Sequence, residues 1–308
     1  MKIEVILPGI KRNVSLKAYT TFKIGGQAKY FFKAPTKENL ILAIEAAKKF
    51  DLPFFILGGG SNLLVSDRGY KGLVIKQQTM SSKIQDNKIF TEAGLLLGRL
   101  VNLAAKNNLI GLEWAVGIPG TIGGAIRGNA GAFGKSMKDI VGKVEVYDIK
   151  DKKIKTFKNK NCHFDYRESI FKRNPNLIIL SAELQLKKGP PVGGKKEIKE
   201  KMKEYLDYRK KTQPLEFSSA GSIFKNPLPS QVLKKFRRAR IFSAGELIEK
   251  CGLKGKKIGK VKISRKHANF IINLGNGKAK DVKKLIKLIK DKVKNKFGIV
   301  LEEEIQCL

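Results

Sequence analysis

Apolar residues recur every three to four positions in several stretches of the chain, which is the spacing of an amphipathic helix. The first stretch, residues 37–50, follows Thr36, a residue that can cap a helix, and ends before Leu52 and Pro53. Similar spacing runs through residues 97–107 and 278–296. Residues 195–210 also predict a helix.

Short apolar runs lie between these stretches and predict strands. They occupy residues 54–57, 88–93, 144–147, 177–180 and 299–307. Helical and strand-like segments are mixed along the chain without a detectable repeat. We therefore expect an α+β protein, and its 308 residues suggest about two domains.

Two glycine-rich loops interrupt the pattern. The first covers residues 58–65, and the second covers residues 117–124 and continues to Gly134. Glycine leaves backbone N–H groups exposed, and consecutive exposed groups can form an anion-binding nest for a diphosphate. One such loop alone is more often a tight turn, but two in one chain favour the diphosphate interpretation.

Neither loop matches a standard nucleotide motif. The Rossmann fingerprint needs a third glycine after Gly58 and Gly60, and Leu63 stands in its place. Residues 134–136 resemble the end of a Walker A loop, but Asn129 stands where that loop needs its opening glycine. A Rossmann domain and a P-loop are therefore disfavoured.

The chain has 63 Lys and Arg against 27 Asp and Glu, a formal net charge of +36. Such a balance suggests an anionic partner, and nucleic acid is one alternative. The basic residues concentrate at 195–211, 234–240, 254–266 and 278–296. In the last stretch the lysines lie between the positions of a helical apolar stripe, so they occupy a solvated face. No nucleic-acid motif accompanies the charge, and we expect no nucleic-acid partner.

Cys162, Cys251 and Cys307 lie far apart and form neither a Cys-x-x-Cys pair nor the spacing of a zinc site. We therefore expect neither a metal nor a disulfide. Glu4 and Pro8 stand where a signal peptide needs an apolar core, and no stretch is long and apolar enough to span a bilayer. These features predict a cytoplasmic protein with no membrane partner.

Six segments carry motifs in a distinctive order and spacing: residues 20–28, 58–67, 111–134, 166–169, 221–227 and 266–270. Together they resemble the UDP-N-acetylenolpyruvoylglucosamine reductases, also called UDP-N-acetylmuramate dehydrogenases, nearly from end to end. One departure is Thr20, where the family often has Asn. The segment after Arg167 is similar to the type II form, which lacks the substrate-covering tyrosine loop of type I.

This resemblance implies an FAD-binding fold of the vanillyl-alcohol oxidase and p-cresol methylhydroxylase type. In that fold two α+β subdomains hold the flavin, and in this family a third α+β domain holds the substrate. Residues 1–75 would form the first FAD-binding subdomain, joined by a C-terminal strand at 299–308. Residues 76–211 would form the second subdomain, and residues 212–298 the substrate-binding domain.

The resemblance also implies FAD as cofactor and NADPH as co-substrate. Neither glycine loop contains a histidine, so we expect the FAD to be non-covalent. Backbone N–H groups of both loops would receive its diphosphate. The residues expected to contact FAD are Gly58, Gly59, Gly60, Ser61, Asn62, Gly117, Ile118, Pro119, Gly120, Thr121, Gly123 and Gly124.

The implied reaction reduces the enolpyruvyl ether of UDP-N-acetylglucosamine to the lactyl ether of UDP-N-acetylmuramate, a step of peptidoglycan precursor synthesis. NADPH reduces FAD, and the flavin N5 then delivers a hydride to C3 of the vinyl group. Negative charge builds on the adjacent carboxylate, and Arg167 would stabilise it. The alternative for Arg167 is a surface ion pair with Glu168.

Ser222 matches the family's proton donor to C2, although taken alone it could be a turn serine after Gly221. Glu304 is selected over Glu302 and Glu303 by the family ending L-x-x-E-[VI], and would lie near the substrate carboxylate or the serine. The residues expected to bind substrate are Tyr166, Lys225 and Asn226, the last two on its diphosphate side.

Two other function classes fit part of the sequence. A FAD-dependent carbohydrate oxidase of the same fold would pass its electrons to oxygen, and the serine motif argues against it. A basic nucleic-acid-binding protein would use the excess charge alone. For the reductase we expect a monomer acting on a small molecule, UDP-N-acetylglucosamine enolpyruvate, with NADPH.

Overall fold

A computed structural model describes residues 2–228 and 243–308, so the basic stretch at 234–240 lies outside the described residues. In the described part the helices are α1 (Ile3–Ile6), α2 (Lys37–Lys49), α3 (Leu97–Lys106), α4 (Ile122–Arg127), α5 (Ile170–Arg173), α6 (Gly194–Thr212), α7 (Ala244–Lys250) and α8 (Ala279–Phe297). Short 3-10 turns occupy Leu16–Tyr19, Glu113–Ala115, Met137–Asp139 and Asn159–Cys162.

The strands of the described part complete an α+β architecture, as the apolar pattern predicts. They are β1 (Lys11–Ser15), β2 (Gln27–Ala34), β3 (Phe54–Leu57), β4 (Leu63–Leu64), β5 (Tyr70–Gln77), β6 (Ser82–Gln85), β7 (Lys88–Glu92), β8 (Leu109–Ile110), β9 (Gly131–Ala132), β10 (Lys135–Ser136), β11 (Val141–Asp148), β12 (Lys153–Lys158), β13 (Leu177–Gln185), β14 (Lys187–Lys188), β15 (Ser218–Ser222), β16 (Lys257–Ile258), β17 (Val261–Ile263), β18 (Phe270–Asn273) and β19 (Gln306–Cys307).

The helix predictions are confirmed closely, because local signals determine them. Thr36 caps α2 by accepting a hydrogen bond from the Asn39 N–H at 3.2 Å. The predicted strand at 299–307 is wrong in extent: only β19 is a strand, with an isolated bridge between Glu303 and Phe224. This segment pairs with distant parts of the chain, and its own apolar pattern does not determine where pairing starts.

The chain divides into two compact units. The first comprises Met1–Arg12, Tyr30–Gly59 and Gly72–Tyr208, and the second comprises Asn13–Lys29, Gly60–Lys71 and Arg209–Leu308. Residues 189–194 have the glycine- and proline-rich composition that is typical of a domain boundary, but the division between the units does not fall there. Asn108 holds this segment by donating from Nδ2 to the carbonyls of Gly189 and Pro190, at 3.1 and 2.9 Å.

Most strands of the first unit belong to two larger sheets. One has the order β12-β11-β13-β7-β6 and is antiparallel throughout. Its core includes the buried side chains of Trp114, Phe171 and Leu184. The other has the order β1-β2-β5-β3, with β3 parallel to β5, and the unit boundary falls within β1, β2 and β5. Leu40 and Ile44 of α2 pack in the core that includes Leu73 of β5.

The second unit is built on an antiparallel sheet of order β15-β18-β17-β16. The apolar stripe of α8 is buried in the same core as Phe22, Ile24 and Leu64. Asn273 at the end of β18 donates from Nδ2 to the Phe22 carbonyl at 3.0 Å and accepts the N–H groups of Gly275 and Gly277 through Oδ1. A polar side chain thus fastens the early segment to the sheet.

No helix among residues 2–228 and 243–308 combines the length and the apolar character needed to cross a membrane. The same residues contain no group of three or more His, Cys, Asp or Glu arranged to hold a metal ion. Cys162, Cys251 and Cys307 are free thiols.

The start of α8 is capped by a residue remote in sequence. Its own N-cap residue, Lys278, makes no side-chain capping bond. Instead, the Asp67 carboxylate accepts the N–H of Ala279 at 2.8 Å and that of Lys280 at 2.9 Å. A carboxylate at a helix N-terminus satisfies unpaired donors and interacts favourably with the helix dipole.

We predict that Asp67→Ala lowers the free energy of unfolding by about 1–3 kcal/mol, because two N–H groups lose a charged acceptor. Urea denaturation followed by circular dichroism measures the change. Asp291→Ala is the control, since it removes a charge from α8 that pairs only at the surface, with Lys287 at 2.8 Å. Its effect should be about 0.5 kcal/mol or less. Equal losses for the two variants would contradict the capping role.

Candidate functional site

The first glycine loop begins where β3 ends. Gly58 and Gly59 belong to the first unit and follow a strand held in parallel register by β5. Lys76 of β5 donates its ammonium group to the Gly58 carbonyl, and burial lowers the pKa of Lys76. A lysine side chain is therefore fixed at the start of this loop, and the sequence motifs do not predict it.

The second glycine loop runs beside residues 93–97 in the same unit. Leu97 donates its N–H to the Gly120 carbonyl at 3.0 Å, and Gly123 donates to the Ala93 carbonyl at 2.8 Å. Thr121 then caps α4 by accepting the Gly124 N–H at 3.4 Å. The loop thus has a defined backbone path that leads directly into a helix.

The two loops are in contact with each other. A Cβ on Gly59 would lie 2.6 Å from the Gly120 Cα, and one on Gly58 would lie 2.5 Å from the Thr121 Oγ1. Any larger residue would force the loops apart. The N–H groups of Gly58 and Gly59 donate to no acceptor among residues 2–228 and 243–308. Adjacent backbone donors on a rigid turn suit an anionic ligand such as a diphosphate.

The remainder of the first loop belongs to the second unit and has a different environment. Gly60 has a left-handed φ of +64°, and a Cβ there would lie 2.1 Å from the Tyr19 carbonyl oxygen. Thr21 donates its N–H to the Gly60 carbonyl at 3.1 Å. Thr20 is buried, and its hydroxyl lacks a hydrogen-bond partner within the described residues. The buried Thr20 hydroxyl is therefore available to a ligand that supplies a polar atom.

Asn62, which is expected to contact FAD, forms hydrogen bonds with the protein backbone. Its Nδ2 donates to the Glu304 carbonyl at 2.9 Å, and its own carbonyl accepts the Gln306 N–H at 3.0 Å. This anchors the chain near Glu304 beside the end of the first loop.

Arg167 lies at the tip of a tight turn in the first unit. Asp165 and Glu168 exchange both backbone hydrogen bonds at 3.1 Å, and Arg167 between them has a left-handed φ of +57°. Lys172 donates to the Arg167 carbonyl and to the Glu168 carboxylate, each at 2.8 Å. Glu168, the alternative partner predicted for Arg167, thus forms an ion pair with Lys172.

Tyr166 precedes Arg167 in this turn and is 41% exposed. The Arg167 Cζ lies 5.4 Å from the centre of the Tyr166 ring, within reach of a cation–π interaction. The two side chains of the motif are therefore neighbours, with the Tyr166 ring exposed and Arg167 half-buried.

Ser222 lies in β15 of the second unit, after a bulge at Gly221, whose φ is +74°. Asn269, which is buried, holds the next residues in place. Its Oδ1 accepts the Phe224 N–H at 3.0 Å and its Nδ2 donates to the Phe224 carbonyl at 2.8 Å. The motif at residues 266–270 therefore has a structural role: it aligns the strand that carries Ser222.

The last acidic segment bonds to the residues that directly follow that strand. Glu304 donates its N–H to the Ile223 carbonyl at 2.8 Å, so it is aligned with the residue after Ser222. Glu302 forms an ion pair with Lys225 at 2.6 Å, and Glu303 forms one with Lys290 at 2.6 Å. The three neighbouring glutamates thus have different environments.

The structure brings the predicted residues together in two groups. In the first unit, Gly58 and Gly59 meet the second loop, and Tyr166 and Arg167 share one turn. In the second unit, Ser222, Lys225 and Glu304 lie on paired segments, and Asn226 accepts the Ala244 N–H at 3.0 Å through Oδ1. Lys76 and Asn269 were not expected as site residues. Only tertiary contacts show their positions.

The facing glycine loops suit an anionic ligand, and the comparisons with known proteins identify the chain as a flavin-binding oxidoreductase. A family model described as FAD binding domain matches residues 28–158, and one described as UDP-N-acetylenolpyruvoylglucosamine reductase, C-terminal domain, matches residues 213–308. The FAD-binding fold is also that of Phl p 4.0202, a glucose dehydrogenase, at a TM-score of 0.50 and 13% identity over 61% of this chain and 44% of that one.

Closer relatives cover nearly the whole chain. The UDP-N-acetylenolpyruvoylglucosamine reductase of Caldanaerobacter subterraneus is 44% identical over 96% of this chain and 92% of its own, and that of Clostridium tetani is 39% identical over 96% and 91%. The crystal structure of the Thermus caldophilus reductase matches with a TM-score of 0.78 and 36% identity, covering 97% of this chain and 98% of that one. The chain therefore belongs to the UDP-N-acetylenolpyruvoylglucosamine reductase family.

We predict that Gly59→Ala strongly reduces the FAD content of the purified protein. The added Cβ would lie 2.6 Å from the Gly120 Cα, so the two loops would have to separate. The ratio of flavin absorbance to protein absorbance measures the loss.

Gly98→Ala is the matched control. It makes the same substitution in α3, where a Cβ meets nothing within 4 Å. This variant should keep its FAD and gain up to about 1 kcal/mol of stability, because alanine favours a helix over glycine. Normal FAD content in Gly59→Ala would show that the loop contact does not shape the cofactor site.

Proposed function

We propose that this chain uses Arg167, Ser222 and Glu304 to carry out the reaction of its family. It is an FAD-dependent oxidoreductase that uses NADPH to reduce UDP-N-acetylglucosamine enolpyruvate to UDP-N-acetylmuramate, a peptidoglycan precursor. The residue assignment is supported by the 2.8 Å bond from the Glu304 N–H to the carbonyl of Ile223, the residue that follows Ser222.

Both glycine loops would hold the cofactor. Residues 58–62 and 117–124 would contact FAD, with the N–H groups of Gly58 and Gly59 free to receive its diphosphate and Lys76 adding positive charge. Bound FAD takes electrons from NADPH and supplies the hydride for the vinyl carbon of the substrate.

Arg167 would bind the substrate carboxylate in two points and stabilise the negative charge that builds there. Its place at the tip of a turn bonded on both sides suits this role, because the guanidinium is presented from a fixed backbone. Tyr166 would contact the substrate from the same turn.

Ser222 would donate the proton to C2. An unassisted hydroxyl is a weak acid, so nearby charge has to stabilise the alkoxide that forms. Lys225, three residues on, carries a buried ammonium group on the same segment and would also contact the diphosphate with Asn226. Glu304, aligned with Ile223, would relay a proton toward the serine.

We further propose the domain arrangement of the family: FAD-binding subdomains at 1–75, with 299–308, and at 76–211, and a substrate-binding domain at 212–298. The C-terminal domain model begins to match at residue 213, which supports the proposed boundary between residues 211 and 212. We propose a monomer that acts in the cytoplasm, because its UDP-linked substrate and NADPH are intracellular metabolites. We propose that the protein has no nucleic-acid partner and no membrane partner.

We predict that acid precipitation releases all of the flavin into the supernatant, because neither glycine loop offers a histidine for covalent attachment. Absorbance of the two fractions measures this. Yellow colour retained by the washed precipitate would contradict a non-covalent cofactor.

The residue assignment is tested by separating the two half-reactions in Ser222→Ala. Flavin reduction by NADPH needs no proton from Ser222 and should stay near the wild-type rate. Flavin reoxidation by the enolpyruvyl substrate should slow by about 10²-fold or more, since a proton donor is missing. Stopped-flow absorbance of the flavin measures both rates.

Ser218→Ala is the control, because it removes a hydroxyl from the same strand, β15. Both of its half-reactions should be normal. Wild-type reoxidation in Ser222→Ala would remove Ser222 from the mechanism. Rapid flavin reoxidation by oxygen with peroxide release in the wild-type protein would instead favour the carbohydrate oxidase.

A further inference from the structure

The turn that carries Arg167 is tied to the chain that follows the second glycine loop. Asn129 lies two residues after α4 and is only 4% exposed. Its Nδ2 donates to the Asp165 carbonyl at 2.8 Å, and its Oδ1 accepts the Lys138 N–H at 2.9 Å. One buried amide therefore joins the first residue of the Arg167 turn to the segment after α4.

A second tie lies on the other side of the turn. Ser169 occupies the N-cap position of α5, where a serine hydroxyl usually accepts a helix N–H, yet it makes no capping bond. Its hydroxyl instead donates to the Arg127 carbonyl at 2.7 Å, and the residue is fully buried. The side chain serves the contact with α4 rather than its own helix.

Both ties end on the same short stretch of backbone. Thr121 of the second glycine loop caps α4, and α4 ends at Arg127, two residues before Asn129. The path from the glycine loop to the Arg167 turn is therefore one helix of six residues and two hydrogen bonds. A short helix held at both ends moves as a unit, so the turn keeps a fixed position relative to the loop.

The turn needs such support because of its own conformation. Arg167 has a left-handed φ of +57°, which a residue with a Cβ adopts only where its surroundings hold it. A reaction that depends on a guanidinium at a defined point is sensitive to displacements of about 1 Å. Loss of either tie would leave Arg167 chemically intact but remove one of the bonds that hold its turn in place.

We propose that Asn129 and Ser169 are positioning residues that fix the Arg167 turn to the second glycine loop. This inference rests on the proposed role of Arg167 at the substrate carboxylate. Neither side chain needs to touch substrate or cofactor. Their function is to hold the arginine in register with the loop expected to bind FAD.

Asn129→Asp is the sharpest test. Asn129 has a left-handed φ of +41°, which Asp tolerates, and Asp keeps the acceptor for the Lys138 N–H. It replaces the donor to the Asp165 carbonyl with a carboxylate oxygen, whose negative charge also repels that carbonyl. In the FAD-loaded protein, reoxidation by the enolpyruvyl substrate should slow by about 10-fold or more, while flavin reduction by NADPH should stay within about 2-fold of wild type.

Ser169→Ala tests the other tie and should show the same split. Asn159→Asp is the matched control, since Asn159 also donates to backbone carbonyls of this unit, those of Lys138 and Val141 at 2.8 and 2.6 Å, but not to the Arg167 turn. It should leave both half-reactions unchanged.

Hydrogen exchange of the loaded protein gives a readout independent of activity. The N–H groups of Asp165 and Glu168, which bond within the turn, should exchange about 2- to 10-fold faster in Asn129→Asp and Ser169→Ala, the range expected for one lost hydrogen bond. Amides of β11 and β13 should exchange at wild-type rates. Such a result would confine the faster exchange to the turn.

The outcomes separate the inference from the proposed function. A wild-type protein that does not oxidise its reduced flavin with the enolpyruvyl substrate would overturn the proposed function, whereas exchange would still report whether the ties hold the turn. Wild-type reoxidation and exchange in both tie variants would overturn the inference. A parallel loss of both half-reactions with a lower melting temperature would also overturn it, since that pattern marks a general structural role.

Discussion

Backbone packing between the two glycine loops is the constraint on which the site in the first unit depends. Gly59 and Gly120 approach so closely that neither loop can shift without moving the other. The second loop continues directly into α4, so this contact also sets the direction of that helix. The turn of Arg167 is bonded to the end of α4. The two glycine loops, α4 and the Arg167 turn are therefore held in fixed positions relative to one another.

In both units, buried asparagines connect irregular segments to neighbouring parts of the chain. Asn129, Asn269 and Asn273 each use the amide nitrogen and the amide oxygen to bond backbone groups. An asparagine can serve a carbonyl and an N–H at once, which suits places where an irregular segment would otherwise bury unpaired backbone groups. Each of these asparagines holds a segment that carries a motif: the Arg167 turn, the Ser222 strand and residues 20–28.

Sequence alone predicts the parts of this protein that local chemistry determines. The cap at Thr36 and the apolar stripe of α8 identify two helices because their signals lie within the elements. Motif order identifies the family because the motifs are specific as a set. Three other features cannot be predicted in this way. They are the short extent of β19, the bonds from Asn108 to residues 189–194 and the bond from Asn129 to Asp165. Each depends on a partner far away in the chain, which spacing and composition do not encode.

The second unit is assembled from pieces that are very distant in sequence. The bond from Asn273 to Phe22 joins residues 251 positions apart, and Phe22, Ile24 and Leu64 complete a core formed otherwise by residues after 208. Closing loops of this size is entropically costly and slows folding. Residues 213–308, although recognisable as a conserved domain by their sequence, lack part of their own core. Excised alone, they would expose the apolar surface that Phe22 and Leu64 cover, so the evolutionary module and the folding unit do not coincide.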